Sequence, residues 1–470
     1  MVCPSTALTV NQSNAHSFPN ICSHSHNPEL CITALSQTMT DFGPVGQLDE
    51  DGLLLGFLND SVSGIREMIE IANNVNGLTN DLKKKVALAD CVGLMHLSLY
   101  RTMDTLMLLG NNSTTLSDHD VRTWLSAILT NHITCLDGLQ GLARDEMELG
   151  LEDLINGARI SLAILASKSP PSNDVTISPL YGKLPSWTTR RDRKLLHVLP
   201  NAATPYANVV VAKDGSGRYY TVKEAIANAP DNSMTSLYNT AVVGDRFIAQ
   251  DLWIRNTAGP SKGQAVALRV GADQSVINRC RIDGYQDTLC TFNLRQFYRE
   301  CQISGTVDFI FGDASVVFQN CKIIARKPLS GQGNMITAQG RADRNQNTGI
   351  SFQNCDIIAS SDLALVKGYV KTYLGRPWRE YSRTVYMQSN IGDHIDPSGW
   401  SIWNGDYGLE TLYYGEYSNR GLGAGVRMRV KWPGYHVITN PADAKPFTVA
   451  NLIQGGTWLK STGVPFDEGL

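Results

Sequence analysis

Long apolar stretches are missing from this sequence. No run of about twenty consecutive apolar residues, the length that a membrane-spanning helix needs, occurs in its 470 residues. The first ten residues, MVCPSTALTV, contain neither a basic segment nor a long apolar one. The sequence therefore predicts no membrane span, and no secretory signal is visible at its start.

Several common catalytic patterns are also missing. The one Gly-x-Ser-x-Gly match, GPSKG at 259–263, is not followed by a helical pattern as a nucleophile elbow is, so a serine triad has no support. The nine histidines do not have the spacing of zinc ligands, and there is no Cys-x-x-Cys pair. We therefore expect neither a metal nor another cofactor. No nucleic-acid recognition motif is present, so no nucleic-acid partner is expected.

Basic residues are scarce in the first third of the chain. Residues 1–167 contain 8 Lys and Arg against 19 Asp and Glu, a net charge of −11, whereas the remainder carries +8. A basic region suits an anionic polymer, and an acidic region could pair with it. The alternative is that this asymmetry only aids solubility.

The first third is predicted to be helical over residues 20–167. Apolar residues recur there at helical intervals, in three segments separated by Asn- and Gly-containing breakers. These segments are 81–109, 120–142 and 145–165. A four-helix bundle with a short N-terminal hairpin is the simplest fold for this pattern.

Four of the ten cysteines lie in this helical region as two plausible disulfides. Cys22 and Cys31 could close the hairpin, and Cys91 and Cys135 could join two long helices. Disulfides indicate an oxidising compartment. Glycosylation sequons at four asparagines also fit secretion; they are Asn11, Asn59, Asn111 and Asn112. Because no signal is visible, we expect that the start of this sequence is lost or misassigned.

A weak repeat follows in the second half. After Asn256 it is anchored at Cys280, Cys301, Cys321 and Cys355, with intervals of 24, 21, 20 and 34 residues. A period in this range predicts stacked coils with insertions on one face, so that residues one period apart become neighbours.

Polar residues with a similar period lie inside these coils. Gln264, Gln286 and Asp308 are each 22 residues apart, and Asp287 adjoins Gln286. Stacking predicts that they line one groove. The alternative is that each coil merely has the same polar turn.

Four motifs in order identify a resemblance. They are GQAVALR at 263–269, YQDTL at 285–289, GTVDFIFG at 305–312 and LGRPW at 374–378. Residues 209–470 resemble the plant pectin methylesterases (pectinesterases), which implies a right-handed parallel β-helix. Residues 20–167, notably LTNHITCLDG at 129–138, resemble the pectin methylesterase inhibitor domain, which implies a helical pro-region that folds with, retains or inhibits the enzyme.

The resemblance implies an aspartyl esterase that hydrolyses methyl esters of homogalacturonan, releasing methanol. It assigns Asp308 as the nucleophile that forms an acyl-enzyme anhydride. It assigns Asp287 as the proton donor that afterwards activates water, which requires a raised pKa. The alternatives are a glycosidase or lyase, against which the paired glutamines argue, and a catalytically dead wall-binding or inhibitor protein.

Four further residues receive roles from the resemblance. Gln286 and Gln264 would donate amide hydrogens to the oxyanion. Arg376 would hold Asp308 ionised, and Trp378 would present an apolar face to a sugar ring. The alternative for the last two is a structural Arg-Pro-Trp turn.

The linker at 168–208 is proline-rich and contains the basic run Arg193, Lys194, Leu195 and Leu196. This run resembles the family's processing site, at which subtilisin-like proteases cut. The expected partners are therefore pectin, the chain's own pro-domain or an inhibitor protein, and this protease. The expected location is the cell wall, after secretion.

The chain departs from the family in two ways. About two coils are missing between residues 231 and 245, so a helix at 221–229 would cap a shortened stack. Cys290 replaces part of a Tyr-containing stretch and is expected to be a free thiol. Cys321 and Cys355 match a disulfide position of the family, whereas Cys280 and Cys301 are either stacked neighbours or reduced core residues.

Overall fold

The structure is a computed structural model that describes residues 18–41, 50–110, 118–168 and 241–470. These residues belong to two compact units, one helical and one built from strands. The basic run at Arg193, Lys194, Leu195 and Leu196 lies outside the described residues, as do the strand predicted at 209–212 and the helix predicted at 221–229. No helix in the described ranges is long and apolar enough to cross a membrane.

The helical unit contains a short hairpin and four long helices. The helices are α1 (Phe18–Ser23), α2 (Pro28–Asp41), α3 (Glu50–Leu78), α4 (Leu82–Gly110), α5 (Asp118–Gly138) and α6 (Leu142–Lys168). Helix α3 packs against α4 and α6, and α5 packs against the same two helices. This arrangement confirms the predicted four-helix bundle.

The bundle core is built from apolar residues at helical spacing, such as Leu54, Leu58 and Ile65 on α3, all of which are buried. Helix α5 ends at residue 138, earlier than predicted, because the chain turns at Gly141 with a φ of 57°.

Both disulfides predicted for the helical unit are present. One joins Cys22 to Cys31 and the other joins Cys91 to Cys135. The first links α1 to α2 and the second links α4 to α5.

The second unit is a parallel β-helix, as predicted, and its described residues form three sheets. The first sheet contains β1 (Ala241–Val242), β4 (Leu268–Val270), β7 (Leu289–Thr291), β10 (Ile310–Gly312), β13 (Asn334–Gln339) and β16 (Thr372–Pro377). The second contains β2 (Ile248–Gln250), β5 (Ser275–Asn278), β8 (Arg295–Arg299), β11 (Ser315–Gln319), β14 (Gly349–Gln353), β17 (Arg383–Met387), β19 (Tyr413–Tyr417) and β20 (Tyr435–Ile438). The third contains β3 (Trp253–Arg255), β6 (Arg281–Asp283), β9 (Gln302–Gly305), β12 (Lys322–Ala325), β15 (Asp356–Ala359) and β18 (Asn390–Ile391).

The described part of this unit also contains four short helices. They are α7 (Ser361–Ala364), α8 (Pro441–Ala444), α9 (Val449–Leu452) and α10 (Gly455–Trp458). Single 3₁₀ turns occur at Pro260–Lys262, Lys445–Phe447 and Leu459–Thr462.

Equivalent side chains stack from coil to coil inside the β-helix. On the third sheet, Ile282, Ile303, Ile323 and Ile357 pair in register and are completely buried. The rings of Phe318, Phe352 and Tyr386 stack on the second sheet with centroids 4.9 and 4.5 Å apart. In these ladders the interior side chains of each coil are buried against those of the next coil.

The predicted disulfide between Cys321 and Cys355 is wrong, because both are free and buried. They directly precede β12 and β15, which pair in register, so their side chains are held side by side instead of facing each other. The Cys355 thiol donates to the Phe318 carbonyl instead (3.3 Å). Cys280 and Cys301 are likewise free, as the reduced-core interpretation predicts, and Cys290 is a buried free thiol.

One repeat interval was also assigned wrongly. Trp253 pairs with Arg281, so the residue equivalent to Cys280 is Leu252 and not Asn256. The later anchors, Cys301, Cys321 and Cys355, are equivalent as predicted.

Candidate active site

The predicted site residues come mainly from successive connections between the third and first sheets. Gln264 lies between β3 and β4, Gln286 and Asp287 lie between β6 and β7, and Asp308 lies between β9 and β10. Because the flanking strands pair in register, these connections stack on one another. The coil repeat therefore brings these four residues to one side of the β-helix.

Backbone hydrogen bonds define how these residues pair. The N–H of Ala265 donates to the carbonyl of Gln286 (3.2 Å), and the N–H of Asp287 donates to that of Val307 (3.0 Å). In a parallel ladder these bonds make Gln264 equivalent to Gln286 and Asp287 equivalent to Asp308. The 22-residue spacing thus identifies the stacked glutamines, whereas Asp308 stacks on Asp287 at a spacing of 21.

Both acids have left-handed backbone conformations. The φ angle is 60° at Asp287 and 50° at Asp308. Asp adopts this region more readily than most residues, but it still costs on the order of 1 kcal/mol. The coil hydrogen bonds hold the conformation, including that from the Leu289 N–H to the Phe309 carbonyl (2.9 Å).

Arg376 binds Asp308 through two hydrogen bonds. Its Nε lies 2.8 Å from Oδ1 and its Nη2 lies 2.5 Å from Oδ2. Arg376 on β16 is in register with Ala338 on β13 and, beyond it, with Phe311 on β10. The small side chain of Ala338 leaves room for Arg376 to reach back across one coil. The buried Asp308 carboxylate is thereby fixed in orientation.

The two acids differ in their proton affinity. Burial and, less strongly, the negative charge of Asp308 raise the pKa of Asp287 to about 7, against the opposing effect of the Arg376 charge. Burial also raises the pKa of Asp308, but there the hydrogen bonds and the charge of Arg376 act against it. The pair can therefore hold one proton, on Asp287, at mildly acidic pH.

The two glutamine amides are available to a ligand. Gln264 is exposed and Gln286 is half-buried. Neither side chain has a hydrogen-bond partner among the residues that the structure describes. Because an amide NH₂ carries two donors, the stacked pair offers donors beside the acids.

Aromatic residues lie close to Asp308 and Arg376 in the chain, and one ring contacts Arg376. Trp378 meets Phe311 edge to face at 6.1 Å between centroids, and Trp403 lies 4.4 Å from the Arg376 guanidinium carbon. Trp378 was predicted, whereas Phe311 and Trp403 were missed. Phe311 follows the buried Ile310 in its strand, and this alternation could have shown that it points outward. No comparable signal exists for Trp403.

Arg326 was also missed. It follows β12 and contacts the segment that contains Gln286 and Asp287. Its Nη1 donates to the Gly284 carbonyl (2.7 Å) and its Nη2 to the Tyr285 hydroxyl (2.8 Å). The guanidinium carbon lies 3.9 Å from the centroid of the Tyr285 ring. Among the described residues, no group of three or more His, Cys, Asp or Glu side chains is arranged to hold a metal ion.

Comparisons with known proteins agree with the geometry. Residues 236–456 match the family model "Pectinesterase", and residues 17–164 match the model "Plant invertase/pectin methylesterase inhibitor". A pectinesterase/pectinesterase inhibitor of Ficus pumila var. awkeotsang is 48% identical over 504 residues, covering 96% of this chain and 91% of the relative. Pectinesterase 2.2 of Solanum lycopersicum is 46% identical over 504 residues, covering 96% and 90%.

Among solved structures, a pectin methylesterase from carrot matches with a TM-score of 0.54 and 47% identity, covering 57% of this chain and 100% of that one. Because both family models match and the Ficus relative aligns with nearly the whole chain, this chain belongs to the pectinesterase/pectinesterase inhibitor family.

Proposed function

We propose that this chain hydrolyses the methyl esters of pectin, releasing methanol and leaving free galacturonate carboxylates. The observation that carries the proposal is the pair of stacked acids, of which one is bound by Arg376 and the other has a pKa raised to about 7. An ionised and a protonated carboxyl group side by side supply a nucleophile and a proton donor.

In the first step the Asp308 carboxylate attacks the ester carbonyl carbon. Asp287 transfers its proton to the leaving methoxy oxygen, so methanol departs as the bond between this oxygen and the carbonyl carbon breaks. The product is an anhydride between Asp308 and the galacturonate carboxyl group. Gln264 and Gln286 donate amide hydrogens to the carbonyl oxygen while it carries negative charge.

In the second step Asp287, now ionised, takes a proton from water as the water attacks the galacturonyl carbon of the anhydride. The bond to Asp308 breaks, which restores its carboxylate and leaves a free galacturonate. Asp287 has then regained its proton, and water is the only co-substrate consumed.

The aromatic rings and the basic charge of the second half suit an anionic sugar polymer. Phe311, which follows Asp308 in the chain and lies on β10, and Trp378, which follows Arg376, pack against each other and offer apolar surface. Residues 168–470 carry a net charge of +8. Trp378 packs against Gly340, where an added Cβ would lie 2.8 Å from the Trp378 ring. A sugar ring stacked on Trp378 would place its ester near Asp308.

We further propose that the protein acts in the cell wall after secretion, and that the helical unit is a pro-region able to inhibit or retain the enzyme. The match of residues 17–164 to the inhibitor model and the two disulfides support this role. A subtilisin-like protease would separate the units at Arg193, Lys194, Leu195 and Leu196.

The test compares methanol release with the appearance of new reducing ends on methylated homogalacturonan. An esterase releases methanol without reducing ends, a glycosidase or lyase shows the reverse, and an inactive wall-binding protein shows neither. Asp308→Asn should lower methanol release by at least about 10³-fold while pectin binding persists. Asp393→Asn, which removes an exposed carboxylate paired with Lys367, is the control and should remain active.

A further inference from the structure

Arg326 connects three successive coils of the β-helix. Its backbone N–H donates to the carbonyl of Gly305, one coil back (2.8 Å). Its side chain continues across that coil to Gly284 and Tyr285, two coils back. Arg376 spans the same number of coils to reach Asp308. The site therefore contains two long arginine contacts, one to the nucleophile's carboxylate and one to the segment before Gln286.

The segment formed by Gly284 and Tyr285 is fixed by hydrogen bonds of its backbone and of the Tyr285 side chain. The N–H of Gly284 donates to Ser304 (3.1 Å), and the Tyr285 carbonyl accepts from the N–H of Thr306 (2.9 Å). Only Arg326 is seen to bind the Tyr285 hydroxyl and to stack on its ring within the described part of the chain. Gln286 follows directly, and its amide has no partner there to fix its direction. The direction of this amide thus depends on the backbone that Arg326 restrains.

We propose that Arg326 is a positioning residue for the esterase reaction, which clamps Tyr285 so that the adjacent Gln286 amide is aimed at the oxyanion. This inference rests on the proposed function, because the oxyanion belongs to ester hydrolysis. A planar guanidinium can stack on a ring while it donates to a hydroxyl and a carbonyl, which a lysine ammonium cannot do with the same geometry.

Arg326 acts through geometry and not through the charge of the acids. It forms no hydrogen bond with Asp287 or Asp308, whereas Arg376 binds Asp308 directly. The groups that shift the pKa of Asp287 are its burial, Asp308 and Arg376. Loss of Arg326 should therefore lower the rate without moving the pH dependence, and loss of Arg376 should move it.

The test measures kcat, KM and the pH profile of methanol release for Arg326→Met in the full chain. We expect kcat to fall about 10- to 100-fold, because small misplacements of catalytic groups cost this much. KM should stay within about twofold and the midpoint of the pH profile should not move. Arg326→Lys should recover part of kcat. Arg255→Met, which removes an exposed arginine near the Trp253 ring, is the matched control.

A double-mutant cycle separates positioning from general weakening. If Arg326 acts through Gln286, the variant with both Arg326→Met and Gln286→Ala should be no slower than Gln286→Ala alone. Three outcomes would overturn the proposal. The kcat losses of the two single variants would multiply in the double variant, or kcat of Arg326→Met would be unchanged, or its loss would equal the fraction of unfolded protein.

Hydrogen exchange provides a readout that is independent of activity. The backbone amides of residues 284–288 should exchange faster in Arg326→Met than in the parent, and amides on the second sheet should not. Unchanged protection at 284–288 would refute the clamp even in an active enzyme. A parent chain that releases no methanol would refute the proposed function, while this exchange measurement would still decide whether Arg326 holds the segment.

Discussion

Asp287 and Asp308 occupy equivalent positions in successive coils, because Leu289 pairs in register with Ile310 two residues later. Adjacent strands lie about 4.8 Å apart, so the two carboxyl groups cannot both ionise without strong repulsion. Arg376 binds only Asp308 with its fork of hydrogen bonds. The stacking of the coils thus separates the two acids into one that favours the carboxylate and one that retains its proton.

The proton affinity of Asp287 should fall when Asp308 loses its charge. Because the Asp308 charge helps to raise the pKa of Asp287 to about 7, Asp308→Asn should lower it, although burial keeps it above the ordinary value. Carboxyl titration by ¹³C NMR of the parent and the variant measures this shift. In the parent, kcat/KM should decline as pH rises through about 7, since the first step needs protonated Asp287. An Asp287 midpoint that stays the same or rises in Asp308→Asn would contradict the coupling.

Asp287 should reduce stability at neutral pH. Its pKa is about 7 in the folded state and 3.8 in the reference state. A raised carboxyl pKa means that the folded state binds the proton more tightly than the unfolded state does. The loss of stability caused by ionising Asp287 is therefore absent below pH 3.8, grows up to about pH 7 and is complete above it. Asp287→Asn should therefore stabilise the β unit at pH 8 by up to about 4 kcal/mol and by much less at pH 4.

Denaturant unfolding at the two pH values checks this prediction. Asparagine tolerates the positive φ of Asp287, so the substitution adds little backbone strain. Asp393→Asn is the control, and it should lower stability at pH 8 instead of raising it, because Lys367 lowers the pKa of Asp393 in the folded protein. A gain for Asp287→Asn that does not depend on pH would show that the carboxyl's ionisation is not its source.

The sequence predicts which residues meet where the coil length is regular. Gln264, Gln286, Asp287 and Asp308 lie in short, similar connections, so their spacing predicts the stacked groove, apart from the shift of one residue at Asp308. Contacts that skip a coil cannot be predicted in this way. Arg326 reaches back two coils through the length and flexibility of its side chain, and spacing carries no information about that.

The cysteines show a second limit of the sequence. The repeat places Cys321 and Cys355 in successive coils, where they are equivalent in register, and the resemblance implied a disulfide between them. Neighbouring positions on parallel strands do not by themselves give the geometry of a disulfide. In the helical unit, Cys91 and Cys135 come from different helices and can face each other, so the disulfide predicted there is present.

Reduction should weaken the helical unit and leave the β unit unchanged. Each native disulfide contributes about 2–4 kcal/mol, more for long loops, and Cys91–Cys135 spans 44 residues. Thermal unfolding with and without dithiothreitol measures the loss. In denaturant without reductant, alkylation should label Cys280, Cys290, Cys301, Cys321 and Cys355. A protected Cys321–Cys355 pair would contradict the thiol assignment.

Processing should remove the acidic first part of the chain. The basic run that ends at Leu196 lies in a segment whose composition predicts a linker, and exposed linkers are the sites at which proteases cut. N-terminal sequencing of protein recovered from the cell wall should begin between residues 197 and 209. Replacing Arg193 and Lys194 by alanine should leave the chain intact, whereas replacing Lys168, which pairs with Asp51 on α3, should not prevent cleavage. Recovery of intact parent chain alone would refute the prediction.

The shortened β-helix should be less stable and less active than its longer relatives. The alignment with the Ficus relative extends over 504 residues, more than the 470 of this chain, so the relative has internal residues without counterparts here. In the described part, β1, β2 and β3 each lie at the edge of their sheet. Solenoid coils stabilise one another and end coils need caps, so missing coils should weaken this end.

The predicted gap at 231–245 precedes both acids, the two glutamines and Arg376. We therefore expect that the central arrangement forms while the groove beside it lacks residues. Inserting the relative's coils between residues 231 and 245 should raise both the melting temperature and methanol release, whereas a Gly/Ser insert of equal length should raise neither. Catalysis should respond more strongly than stability, because small displacements of bound substrate lower the rate by large factors. If the unmodified chain already equals its relatives in both measurements, the missing coils are dispensable.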